Sequence, residues 1–290
     1  MSAHCVLSSV MGRFRTGLRM AGASWRVVRK EKSLLAFPVL AATFGLGYAI
    51  LVVAPLGLIG FVAFGENTIL GYVLLAIALL GMNVGATFFG VAAASNASRV
   101  LNGEDPKLGD GIRVARSRLK VIIQWGVVSA TVGLVLQLIS DRAGGLGGAL
   151  LQVIGGAAWS IASFFVLPIL ALEGLGPFDA IKQSLKVVRE KWGESLIGGA
   201  VVSLVPGLIA FAGIGVAALG VYVGLGGLWA VGAPLIAIGV VVLIAAITVG
   251  QILHAVFTVV VYRYATEGVT PEGFSAGDLE AVFRAKKQRL

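Results

Sequence analysis

Five long stretches of the chain contain no Asp, Glu, Lys or Arg, and they are apolar on every side of a helix. These stretches are Ser33–Gly65, Asn67–Ser98, Val121–Ser140, Ala143–Leu172 and Ser195–Tyr262. A membrane-spanning helix needs about 20 apolar residues, whereas a strand of a membrane β-barrel alternates polar and apolar positions. Lipid leaves backbone groups without water, so a spanning segment must satisfy its own hydrogen bonds. The pattern therefore predicts an all-α, polytopic membrane protein.

The last stretch is long enough for two spans, and its glycine-rich segment Gly224–Pro234 is the expected turn. Pro234 is expected to start the sixth helix, and Trp229 suits the membrane interface. The six predicted transmembrane helices, paired as three hairpins, are Leu34–Gly65, Ile69–Ser98, Val121–Ser140, Ala149–Leu172, Leu196–Tyr222 and Pro234–Tyr262.

Loop charge supports six spans rather than seven. With six, all but one of the 23 Lys and Arg residues lie on one side, and only Arg142 lies on the other. Lys and Arg accumulate in cytoplasmic loops, so we expect both termini in the cytoplasm. A seventh span would place the basic end of the chain outside.

A basic amphipathic helix is predicted before the first, third and fifth spans. The apolar faces are formed by Phe14, Leu18, Ala21, Trp25 and Val28, then by Leu108, Ile112, Ala115, Leu119 and Ile122, and then by Ile181, Leu185, Val188 and Trp192. The shared spacing predicts three repeat units, 13–98, 107–172 and 178–262, with a disordered segment 1–12 and a cytoplasmic tail 263–290. Any amphipathic helix has this spacing, so a chance similarity is the alternative.

The cations of these helices are candidate contacts for anionic lipid. A basic amphipathic helix in the membrane plane turns its Lys and Arg toward anionic headgroups. The candidates are Arg15, Arg19, Arg26, Lys30, Arg113, Lys120 and Lys186. Alternatively, the second and third helices pack on the bundle as a cytoplasmic cap.

The composition of the chain limits the classes of binding partner that we expect. The chain is 58% hydrophobic and only 13% charged, with a net charge of +9. Its cations flank the spans and form no separate basic domain, so we expect the lipid bilayer and no nucleic acid as partner. Cys5 is the only cysteine, which excludes an intrachain disulfide and a cysteine metal cluster.

One polar face within the predicted spans is a candidate site. Thr248, Gln251, His254 and Thr258 share a face of the sixth span by helical spacing. An ionisable group within a membrane suggests function, whereas a neutral His hydrogen-bonded to a neighbouring helix is the structural alternative. No span contains Asp or Glu, and no catalytic or metal-binding motif is present. We therefore expect no cofactor, no metal and no enzymatic activity.

Small residues, other polar residues and prolines complete the list of candidate features. Ala86, Gly90, Ala94 and Ser98 form a ridge, and Gly81, Gly85, Gly220 and Gly224 form GxxxG pairs. Such ridges serve packing within one bundle, or contact with a second copy or a membrane-protein partner. Asn83, Thr87, Asn96, Gln124, Gln137 and Gln152 are expected to form interhelical hydrogen bonds or to line a polar cavity. Pro55, Pro168 and Pro206 are expected to kink their helices.

Two segments resemble known families. The segment FRTGLRMAGASWRVVRKEKSLLAFPVL, from Phe14 to Leu40, resembles a prokaryotic family of multi-pass membrane proteins, domain of unknown function 6159. Ala171–Glu194 is similar, more weakly, to linkers in the membrane portion of glycerophosphodiester phosphodiesterases. The first resemblance implies a multi-pass protein of a prokaryotic plasma membrane, and neither resemblance carries catalytic residues over to this chain.

These observations predict a non-enzymatic membrane protein with a structural, lipid-interacting or accessory role. A small-molecule transporter or channel, with the polar face of the sixth span near its pathway, is the alternative.

Overall fold

The computed structural model describes residues 22–25, 31–64, 69–192, 197–268, 270 and 274. It is 89% helical, and the described residues contain no strand. The all-α prediction is therefore confirmed. Arg15, Arg19, Arg26 and Lys30 lie outside these ranges, as does the segment 1–12 that was predicted to be disordered.

The helices of the described ranges follow one another with short connections. They are α1 (Lys32–Tyr48), α2 (Ala54–Phe64), α3 (Ile69–Val100), α4 (Leu108–Ser117), α5 (Leu119–Ala143), α6 (Gly145–Ala162), α7 (Val166–Leu172), α8 (Pro177–Val187), α9 (Ile197–Leu225) and α10 (Trp229–Glu267). Within the described ranges, six helical segments are long and apolar enough to cross a membrane, as predicted. The first combines α1 and α2, and the fourth combines α6 and α7.

The start of the sixth span differs from the prediction. The turn after α9 lies at residues 226–228, where Gly227 has a φ of 91° that suits glycine. This turn lets α10 begin at Trp229, so Pro234 lies inside the helix rather than at its first residue. The expectation that Pro234 starts the helix is wrong.

Irregular helix geometry occurs next to two of the three singled-out prolines. A π-helical stretch, Ala49–Val53, joins α1 to α2 immediately before Pro55. Residues 163–165 interrupt the fourth span shortly before Pro168. A proline lacks the N–H that would continue the ladder, so the chain deviates just upstream of it. Pro206, in contrast, lies inside the continuous helix α9.

The two linker helices in the described ranges pack on the bundle. α4 packs on α3, and α8 packs on the ends of α5, α6, α7 and α10. The buried face of α8 is formed by Pro177, Ala180, Ser184 and Val187. The predicted face of this helix is confirmed only in part: Val188 is buried and Ile181 packs against the core, but Leu185 is 39% exposed. The small side chains of Ala180 and Ser184 allow the close approach, and the Phe165 N–H donates to Ser184 Oγ at 3.2 Å.

The predicted face of the second amphipathic helix also ends early. Ala115 and Ile122 are buried as expected, but Leu119 is 44% exposed. The helix is interrupted at Arg118, between α4 and α5, so Leu119 is the first residue of a new helix. The face therefore does not run on continuously into the third span.

The bundle has two unlike ends. The linker end is formed by the segment 101–107, α4, α8 and the last turns of α10. The hairpin end lies opposite and contains the turns at Gly144 and 226–228. The buried core lies toward the linker end, where the end of α3, α7 and the last third of α10 meet. Toward the hairpin end, most large apolar side chains are exposed, as expected for lipid-facing helices.

Glycines bring α9 and α10 into backbone contact. A Cβ at Gly239 would lie 2.4 Å from Ala217 N and 2.6 Å from Gly213 O. A Cβ at Gly232 would lie 2.6 Å from Gly220 O. Only glycine therefore fits at these positions. α9 packs almost entirely on α10, which makes this pair the tightest in the bundle.

Candidate functional site

A cavity of about 510 Å³ lies between α1, α3, α7, α9 and α10. Ligand pockets in proteins commonly have about 300–1,000 Å³, so this cavity is large enough for a small organic ligand. Its walls are mainly Ala, Gly, Phe, Pro, Leu and Ile side chains, and none of the described residues that line it is charged. Gln251, Ile247 and Ala86 are exposed, so the cavity is open at one side.

Three of the four residues of the predicted polar face line this cavity. They are Gln251, His254 and Thr258, on successive turns of α10. Thr248, one turn closer to the hairpin end, is not part of the lining. The sequence pattern thus identified the side chains that stand together in the cavity wall, although it did not predict the cavity itself.

The hydrogen-bonding capacity of these three residues is only partly used. Thr258 Oγ1 donates to the carbonyl oxygens of His254 at 2.9 Å and of Ala255 at 3.1 Å, and can still accept. The imidazole of His254 meets the Phe164 ring edge to face, with centroids 5.5 Å apart. Within the described part of the chain, neither the His254 ring nitrogens nor the Gln251 amide has a hydrogen-bond partner. The structural alternative, a histidine hydrogen-bonded to a neighbouring helix, is therefore not what the described residues show.

The small-residue ridge of α3 forms one wall of the cavity. Ala86, Gly90 and Ala94 all face the cavity, and Gly90 lies close to Leu167 of α7. Glycines nearer the hairpin end pack inside the bundle: a Cβ at Gly81 would overlap the Tyr48 ring, and one at Gly85 the Phe44 ring. The ridge is thus used within the chain, partly for packing and partly to leave space.

Three of the six other polar residues predicted in the spans link neighbouring segments, whereas Thr87 and Gln137 form hydrogen bonds within their own helices. Gln137 and Gln152 also line a cavity of about 400 Å³ at the hairpin end. Ser129 Oγ donates to Asn83 Oδ1 at 3.2 Å between α5 and α3. Ser140 Oγ donates to Gln152 Oε1 at 2.9 Å between α5 and α6. Asn96 Nδ2 donates to the Lys107 carbonyl at 3.1 Å and ties α3 to the start of α4. Asn83, Gln152 and Asn96 therefore act as interhelical hydrogen-bonding residues.

A second polar cluster at the linker end was missed in the sequence. The Tyr262 hydroxyl donates to Glu173, and Gln183 Nε2 donates to Tyr262 Oη at 2.9 Å and to Glu173 Oε1 at 3.0 Å. The cluster joins the end of α7, the helix α8 and the end of α10. Its only signal in the sequence is a lone Glu where the fourth span ends and a Tyr where the sixth was predicted to end, which gives no reason to pair them.

Cations of the linker helices lie at the linker end with their side chains outward. Arg113, Lys120 and Lys186 are all exposed. Arg113 also forms an ion pair with Asp110, with Nη1 3.6 Å from Oδ1. Among the residues that the structure describes, no group of three or more His, Cys, Asp and Glu side chains comes together as a metal site.

Comparison with known families identifies the chain. The model of a family of unknown function, DUF6159, matches residues 69–273, which extend from the start of α3 to beyond α10. The chain belongs to the DUF6159 family. The match includes the whole of the second and third predicted repeat units, 107–172 and 178–262, while the Phe14–Leu40 segment that suggested this family lies outside it. No curated protein matches this DUF6159 chain.

Proposed function

We propose that this DUF6159 protein is a non-enzymatic, lipid-interacting membrane protein whose linker helices bind anionic headgroups. The main support for this proposal is the composition of the outer face of α8. There, Phe178 is 67% and Leu185 39% exposed, beside the exposed cations Lys182 and Lys186. Apolar side chains that enter the interface next to cations that meet the headgroups are typical of a membrane-surface helix.

α5 extends the same surface at its first residues. Leu119 and Lys120 are both exposed, and Arg113 of α4 lies at the same end. Each Lys or Arg near an anionic membrane surface contributes about 1 kcal/mol. The linker end would then face the cytoplasmic leaflet, in the plasma membrane of a prokaryote, with both termini in the cytoplasm. Arg15, Arg19, Arg26 and Lys30 would extend the basic surface.

Native mass spectrometry of the protein extracted in a mild detergent tests this proposal. The triple variant Arg113→Gln, Lys120→Gln and Lys186→Gln should bind phosphatidylglycerol on the order of 100-fold more weakly than the unaltered protein, since about 1 kcal/mol is lost for each of the three charges. Arg142→Gln is the matched control, because Arg142 lies at the hairpin end. Equal retention by the triple variant and the control contradicts the proposal.

A transporter or channel is the second candidate, and one observation favours it. Gln251, His254 and Thr258 line a cavity that is open to one side, as a solute site requires. A small solute retained by the protein and lost in His254→Ala would support this function. A partner at the small-residue ridges and the similarity of Ala171–Glu194 to phosphodiesterase linkers stay predictions and do not support either function.

A further inference from the structure

The walls and polar groups of the cavity define a ligand class. We propose that the cavity binds one neutral, single-chain lipid whose head carries a hydroxyl or carbonyl oxygen, with that oxygen at His254. This site is separate from the anionic headgroup surface of the linker helices and does not depend on it.

The walls exclude a charged head. Among the described residues, the lining includes no Lys or Arg that could pair with an anion and no Asp or Glu that could pair with a cation. A charge taken from water into such surroundings without a partner is strongly unfavourable. The part of the ligand inside the cavity must therefore be uncharged.

The unpartnered polar groups exclude a ligand that is only hydrocarbon. His254 has a donor and an acceptor nitrogen when neutral, and the Gln251 amide offers both functions. Neither has a hydrogen-bond partner within the described residues, while Thr258 Oγ1 can accept one more bond. Gln251 lies at the open side of the cavity and His254 is partly buried, and neither position has water as a partner within a bilayer, so an unmade hydrogen bond there costs about 1–3 kcal/mol. A hydroxyl or carbonyl head removes that cost, and an alkane does not.

The volume sets the size of the ligand. An apolar cavity of about 150 Å³ holds benzene, with its six carbons. On that scale the cavity of about 510 Å³ holds on the order of 20 carbon atoms. This is the size of one fatty chain with a small head. The exposed side, at Ala86 and Ile247, lets such a chain enter sideways from the bilayer.

Photo-crosslinking in lipid nanodiscs tests the inference. The probe is a monoacylglycerol with a diazirine in its chain, and labelled peptides are mapped by mass spectrometry. Labelling should concentrate on α10 around His254 and on the facing turns of α1, α3 and α9. Excess 1-monooleoylglycerol should compete, whereas oleate at pH 9, with the same chain and a charged head, and 1-octadecene, with no polar head, should compete at least fivefold less.

Three variants give the specificity of the test. Ala86→Trp fills the cavity from its exposed side and should abolish labelling, while Ala157→Trp, at an exposed position of α6 outside the cavity, should not change it. His254→Phe keeps a ring in place but removes the hydrogen bonds, and it should weaken competition by monooleoylglycerol about tenfold, which corresponds to about 1.4 kcal/mol.

Several results would overturn the inference. These are labelling spread evenly over the lipid-facing helices, equal competition by octadecene or oleate, or unchanged labelling in a folded Ala86→Trp variant. The triple variant of Arg113, Lys120 and Lys186 should label normally. Loss of anionic lipid and loss of the cavity ligand are thus separate results, and either proposal can fail alone.

Discussion

The linker-end and hairpin-end halves of the bundle are built from the same kinds of residues but are held together differently. At the linker end, side chains from α3, α7 and α10 interlock around buried residues such as Phe165, Ile169 and Phe257. Toward the hairpin end, the α9–α10 pair is held by contact between their glycines, and most of its large side chains face outward. In lipid, the hydrophobic effect does not drive apolar helices together, so van der Waals packing between them decides where they assemble. The cavity lies beside the interlocked core, in walls that this core keeps in place.

The largest expected difference between the two halves comes from one pair of phenylalanines. Phe257 of α10 is fully buried, whereas Phe211 of α9 is 75% exposed. Phe257→Ala should lower the free energy of unfolding by about 3 kcal/mol, because it leaves a cavity in the core. Phe211→Ala should change it by less than about 0.5 kcal/mol. Thermal unfolding in a mild detergent measures both, and similar losses would show that the halves do not differ.

The backbone contact between α9 and α10 can be broken by one methyl group. Gly239→Ala would place its Cβ against backbone atoms of Ala217 and Gly213, which should cost about 2–3 kcal/mol of stability. Gly215→Ala is the matched control, since nothing lies within 4 Å of a Cβ there. The same unfolding assay decides, and an unaffected Gly239→Ala would mean that the two helices are not held by this contact.

At the linker end, two glycines of one helix should respond with opposite signs. A Cβ at Gly111 would lie 2.6 Å from Ala92 O and 2.7 Å from Phe37 Cζ, so Gly111→Ala should destabilise the protein by about 1–2 kcal/mol. Gly109→Ala meets nothing within 4 Å and should stabilise it by about 0.5 kcal/mol, because alanine favours the helix. A gain in both variants would show that α4 is not packed closely on α3.

A smaller loss of stability is expected at the polar cluster of the linker end. Tyr262→Phe removes the hydroxyl that donates to Glu173 and accepts from Gln183, and should lower stability by about 1 kcal/mol. Tyr222→Phe, 76% exposed toward the hairpin end, is the control and should have no measurable effect. Unfolding temperatures of the two variants give the comparison, and equal values would remove the cluster from the forces that close the linker end.

Some features of the two halves could be predicted from the sequence, and others could not. The six spans follow from uninterrupted apolar runs, and the shared face of Gln251, His254 and Thr258 follows from helical spacing, because both depend on neighbours along the chain. The residues that form the rest of the cavity wall come from other helices, so the cavity could not be predicted from the sequence pattern. The pairing of Glu173 with Tyr262 joins residues 89 positions apart, and no local pattern reports it.

The sequence pattern predicted the buried face of α8 only in part and did not predict the glycine contacts, for a different reason. Ala180 and Ser184 face the bundle together with Ile181, whereas Leu185 is exposed, because closeness of approach outweighs apolarity where a helix packs on a crowded end. Gly213, Gly220, Gly232 and Gly239 stand seven residues apart in each helix, but a chain with 41 glycines hides that spacing. Both features depend on backbone distance, which hydrophobic periodicity does not measure.

The glycine contacts between α9 and α10 also bear on how the protein is made. The two helices follow each other directly, and their contact needs no third helix to complete it. We expect them to leave the translocation channel as a closed pair once the ribosome has completed α10, after the earlier spans have been inserted. One wall of the cavity, from Pro206 to Ala210 and from Ala246 to Thr258, would then arrive already assembled. The cavity would form only when the α9–α10 pair packs on α1 and α3. An accessible cavity would therefore indicate that insertion and assembly of the protein are complete.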